Sequence, residues 1–136
     1  MYLSDSEQNL TREEMASFNV FFDNLLPPSF QYFYLENNGG YPLNNEDGNF
    51  FILGGFNPIK YGELPIEQLY NDLTECFGEL RKMVPFAYDE GGNCFLLSLK
   101  EGNSFGEVFI FLMDEKELVT VADSFDEFIA VSYTHL

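Results

Sequence analysis

The sequence predicts an α+β fold in a single domain, on three observations. Met15, Phe18, Phe22 and Leu25 recur at helical spacing near the start. From Val84 to Ala122, short apolar runs alternate with turn residues rich in glycine and acid, the pattern of an antiparallel meander. A capping motif at Ser124 then opens a last helix. Helices first, a meander next and a helix to close is an α+β order, not alternating βαβ. The 136 residues suit one domain with a proper core. No repeat or linker divides them, so the domain is expected to span 1–136, with its core over about 11–130.

The first helix is expected over Thr11–Asn24, because Thr11 with Glu14 three residues on makes a capping box. Leu26-Pro27-Pro28 interrupts it, and a proline suits the first turn of the next helix. Phe30, Phe33 and Tyr34 give that second helix its apolar face. The stretch FYLENNGGYP, Phe33–Pro42, then stops it: Asn38-Gly39 can supply a left-handed residue, and Gly40 a sharp turn. A phosphate-cradling loop would need glycines leading into a helix with a lysine nearby, and this stretch has neither. Leu43–Asn49, LNNEDGN, is a polar loop. It does not match a calcium-binding loop, because position 54 is glycine where glutamate is needed. Phe50–Leu53 reads as a strand. A short helix follows Pro65, with Ile66, Leu69, Tyr70 and Leu73 at i, i+3, i+4 and i+7.

Val84–Ala87 and Cys94–Leu99 are strands joined by the turn Tyr88–Asn93, and Lys100–Gly106 is the next turn. Glu107–Met113, EVFIFLM, is so apolar that it is expected to be central in its sheet. Asp114–Glu117 turns the chain into a strand over Leu118–Ala122. Ser124 with Glu127 forms a second capping box, leading a helix with Phe125, Phe128 and Ile129 on one face. The tail VSYTHL shows no usable pattern.

Composition excludes several classes. Hydrophobic residues at 46% and 16 phenylalanines need burial, which argues against disorder. No apolar run approaches the roughly 20 residues of a membrane helix. MYLSDSEQNL has neither a basic region nor an apolar core, so it is no signal peptide, and a cytosolic location is expected. Counting alone leaves a disulfide open for Cys76 and Cys94; two reduced, mostly buried thiols fit a cytosolic chain better. The 23 acidic against 6 basic residues give a net charge of −17. Such a surface repels nucleic acid and anionic membranes and attracts basic partners. Solubility explains the same charge equally well.

Catalytic equipment is scarce. The single histidine is His135, in the tail, so Ser-His and Cys-His pairs are close to excluded. No C-x-x-C pair or zinc ligand set is present, and neither metal nor cofactor is expected. Asp89-Glu90 and Asp114-Glu115 are paired carboxylates, but in so acidic a chain they read as solvated turns rather than acid/base couples. The chain is not expected to be an enzyme.

Four stretches, taken in order, resemble the SUKH superfamily. They are Leu26-Pro27-Pro28-Ser29-Phe30 with Phe33-Tyr34-Leu35 and Asn37-Asn38-Gly39-Gly40; Pro85–Leu96, where a P-F-A strand meets a glycine-rich turn and a second strand; Gly106–Phe109; and Ala122–Ile129 with its S-F-x-x-F helix. Together they run over roughly Thr11–Ala130. The chain departs from many members in having no tryptophan. The resemblance implies an antiparallel sheet flanked by helices. It also implies an immunity protein, since bacterial members largely bind and neutralise a toxin domain encoded beside them, often a nuclease or deaminase. Fungal relatives regulate cell-wall synthesis through protein contacts, and the superfamily is not known for catalysis.

The resulting expectation is a cytosolic immunity protein that binds a basic toxin domain. The alternative is an adaptor or regulatory module of the same fold without a toxin. Helix faces carrying Phe18, Phe22, Phe33 and Phe128 are expected in the core, which leaves loops and the exposed face or edge of the sheet for a partner. Three stretches are candidates for that contact: Glu46-Asp47, Asp89-Glu90 with the adjacent Tyr88, and Asp114-Glu115. An aromatic residue beside charges is typical of binding hot spots.

Overall fold

The computed structural model describes residues 3–42 and 53–134, apart from the side chains of 131–134. The elements run β1 (Leu3–Ser4), α1 (Arg12–Phe21), α2 (Pro28–Glu36), β2 (Tyr41–Pro42), β3 (Leu53–Phe56) and α3 (Ile66–Cys76). A 3-10 turn at Gly78–Leu80 leads to β4 (Met83–Asp89), β5 (Cys94–Ser98), β6 (Val108–Leu112), β7 (Glu117–Ala122) and α4 (Phe125–Thr134). Strands β3 to β7 form one antiparallel sheet in sequence order, and β1 pairs with β2 in a small sheet of their own. The fold is α+β, as the order of elements predicts.

Local chemistry explains the helix ends. The Glu14 amide donates to Thr11 Oγ1 (3.0 Å) and the Thr11 amide to Glu14 Oε1 (2.9 Å), completing the capping box. Helix α1 stops at Phe21, short of the expected Asn24, because Asp23 and Asn24 take positive φ (59° and 61°) and turn the chain away. Helix α2 ends differently from expectation. Its cap, Asn37, is extended (φ −140°), and the left-handed residues are Gly39 and Gly40 beyond it (φ 82° and 118°).

Asn38 is the reason. Its side chain is fully buried: Nδ2 donates to the carbonyls of Gln8 (2.9 Å) and Ile59 (3.0 Å), and Oδ1 accepts from the Ile59 amide (2.7 Å). Three segments are tied by one amide. The chain leaves α2 extended so that Asn38 points inward, and the glycines turn it afterwards.

Both faces of the sheet are covered, so β5 is buried at every residue and β6 can be apolar throughout. On one face Phe86 meets Phe125 and Phe128, each at 5.3 Å between ring centroids, and Phe128 meets Phe95 at 5.1 Å. The other face, with Met83, Cys94, Leu96 and Phe111, is closed by Leu73 of α3 and Leu80 of the 3-10 turn. Strand β6 lies inside the sheet but one place off its centre, which is β5, because only β7 follows it. Phe18, Phe22 and Phe128 are core residues as expected, and Phe33 packs against the core half-buried.

Strand β3 shares only Leu53 with the expected strand, whose other residues lie outside those described. Strand β4 runs on to Asp89, so Tyr88 and Asp89 belong to a strand rather than to the turn. The patternless tail continues α4 as far as Thr134. Both cysteines are free, but only Cys94 is buried; Cys76 is exposed, because it ends α3 on the outward side.

Candidate functional site

The meander decides which acidic stretches meet. Strand β4 ends and β5 begins at the same end of the sheet where β6 ends and β7 begins. The turns carrying Glu90 and Asp114-Glu115 are therefore neighbours, and Asn93 joins them: its Oδ1 accepts from the Met113 amide at 2.9 Å. Glu90, Asp114 and Glu115 are exposed. Glu46 and Asp47 lie outside the described residues.

Asp89 has a different job from a free contact residue. Its Oδ1 accepts from the amides of Gly91 (2.9 Å) and Asn93 (2.8 Å), and its Oδ2 from Asn93 Nδ2 (3.0 Å). The carboxylate thus builds the hairpin turn. Tyr88 is also committed. Its ring lies along β3, where a Cβ added at Gly55 would come 2.5 Å from its hydroxyl. Burial, then hydrogen bonding with Tyr41, pushes the Tyr88 hydroxyl up to about 12, so it stays neutral at physiological pH.

Beside Tyr88, on the α3 side of the sheet, opens a groove of about 700 Å³. Leu69 and Leu73 of α3 line it, and so do Tyr41 and Tyr88. Asp5, Glu7 and Glu63 add carboxylates to its lining. Asn57 lines it as well, and Asn57 is held rigidly. Its amide donates to the Phe86 carbonyl (2.8 Å), and its carbonyl accepts from the buried Tyr34 hydroxyl (2.8 Å). With the residue 7% exposed, Oδ1 is buried and has no hydrogen-bond partner among the described residues.

The groove's thiol, Cys94, is pushed up to about 11 by burial and then by the Asp89 charge, which keeps it protonated and a poor nucleophile. Among the described residues no group of three or more His, Cys, Asp or Glu could hold a metal ion. Nor is any helix among them long and apolar enough to cross a membrane.

A family model described as SMI1 / KNR4 family (SUKH-1) matches residues 9–131. The chain belongs to this family. The match takes in every stretch that carries the resemblance and all elements from α1 into α4, so the SUKH-1 unit includes the sheet, both acidic turns and Asn57. Strand β1, with Asp5 and Glu7, precedes it. Comparison with curated proteins finds no match.

Sequence reasoning misses two asparagines of this SUKH-1 protein, one lining the groove and one buried in the core. Asn57 follows the strand LGGF and precedes a proline, and nothing in that pattern separates a groove amide from a turn residue. Asn38 is visible as part of N-N-G-G, but its burial depends on Gln8 and Ile59, distant in sequence. A third residue, Glu14, does more than cap α1. Its Oε2 accepts from Lys60 Nζ (2.7 Å) and from the Tyr61 hydroxyl, and these partners hold the carboxyl down to about 2.

Proposed function

We propose that this SUKH-1 chain is an immunity protein that binds and neutralises a basic toxin domain, one that attacks nucleic acid, and that it works in the cytosol without catalysis. The observation that carries the reading is the convergence of Glu90 with Asp114 and Glu115 at one end of the sheet, on a chain of net charge −17. Membership of the family supports a protein-binding role, and a nucleic-acid-cutting domain carries the basic surface such an acidic face complements. Tyr88 serves as a fixed aromatic edge beside these charges, and Asp89 keeps the turn in shape for them. Glu46 and Asp47 are a separate candidate stretch for partner contact, on charge alone.

The test is protection. Co-expression with the toxin domain encoded beside this gene should restore growth. The combined change Glu90→Lys, Asp114→Lys and Glu115→Lys should abolish protection while leaving the fold intact. Protection that survives the triple change would move the interface elsewhere. A chain with no toxin gene beside it and no protective effect would be an adaptor of the same fold.

A further inference from the structure

We infer that the groove beside Tyr88 is a socket for one arginine side chain of the partner protein. The inference rests on the proposed partner-binding role and specifies which group the partner inserts.

The unpartnered Asn57 oxygen is the key to the occupant. A buried side-chain carbonyl without a donor is destabilising, and the large majority of such groups are paired. The backbone of Asn57 is fixed by Phe86 and Tyr34, which keeps the residue on the groove. What enters must therefore present an N–H or O–H donor. The carboxylates of Asp5, Glu7 and Glu63 favour a cation, and they exclude a carboxylate or phosphate. Leu69 and Leu73 face an apolar stem, while the rings of Tyr41 and Tyr88 suit a planar cation. A guanidinium on a three-carbon stem meets all four demands. An ammonium is more strongly hydrated and gains less from the aromatic walls. Tyr41 and Leu64 are exposed large apolar residues that line the same groove, ready to be covered by the chain that carries the arginine.

The experiment uses the whole chain and a defined probe, N-acetyl-arginine methylamide, titrated into the labelled protein and followed by NMR. Shifts should gather at the Asn57 side-chain amide, Gly40, Gly92 and Leu73. The neutral citrulline analogue should bind about tenfold more weakly, and the lysine analogue more weakly than arginine. Asn57→Leu should lower arginine affinity about tenfold by removing the acceptor. Should that variant fail to fold, the exposed Glu63→Gln supplies a change that leaves the core alone and should weaken arginine but not citrulline. Shifts spread over the acidic surface, or equal binding of arginine and citrulline, would overturn the socket. Protection by Asn57→Leu and Glu63→Gln at wild-type level would overturn it too, while leaving the immunity role standing. Arginine seated in the groove of a chain that protects against no toxin would do the reverse.

Discussion

At the scale of single residues, polar groups rather than the many phenylalanines set the exact path of the chain. Asn38, fully buried, holds Gln8 and Ile59 through three hydrogen bonds. Asn38→Ala should therefore cost on the order of 3 kcal/mol, since buried groups on both sides lose partners, and urea denaturation would read it. A variant as stable as wild type would show that water replaces the amide. Glu14 makes a pH-dependent contribution. Its carboxyl falls from the ordinary 4.5 to about 2 in the folded chain, so the stabilisation is complete above 4.5. It is lost as pH falls toward 2. The stability gap between wild type and Glu14→Gln should be widest at neutral pH and close across that window, as thermal melts in a pH series would record. A constant gap would mean that the Lys60 and Tyr61 contacts contribute nothing.

At the scale of elements, the β4–β5 hairpin shows why adjacent acids are not equivalent. Asp89 is bonded three times within its turn, whereas Glu90 is exposed. Reversal of the pair would thus confuse two effects. Asp89→Lys alone should destabilise by about 1–3 kcal/mol through the broken turn. Glu90→Lys should stay within about 0.5 kcal/mol of wild type. Chemical denaturation of the two variants separates them, and equal costs would refute the turn-building role of Asp89. The same hairpin marks a limit of reading by propensity. Tyr88-Asp89 looks like turn chemistry, yet pairing with Leu53 and Gly55 of β3 keeps both residues in the strand.

At the scale of the whole molecule, charge is the dominant property. A net −17 should speed encounter with a basic toxin domain at low ionic strength. Screening shortens the field to about 8 Å at physiological salt, so the association rate should fall as salt rises while dissociation changes little. Stopped-flow measurement across a salt series would show it. A flat association rate would assign the acidity to solubility and the contact to apolar groups.

Periodicity, caps and turns made the helices, the meander, the α+β class and the aromatic core readable in the sequence, because each depends on residues within a few positions of one another. The acidic stretches were legible too, as charges. Their meeting was not: Glu90 and Asp114 adjoin only because two strands of the antiparallel register bring their ends together. The groove belongs wholly to the tertiary structure. Tyr88 settles over Gly54-Gly55, α3 adds Leu69 and Leu73 to the lining, and Asn57 is left with a buried oxygen because Phe86 and Tyr34 claim only its backbone. Such a site arises from contacts between segments far apart in the chain, and no local pattern of residue types encodes which of them will touch.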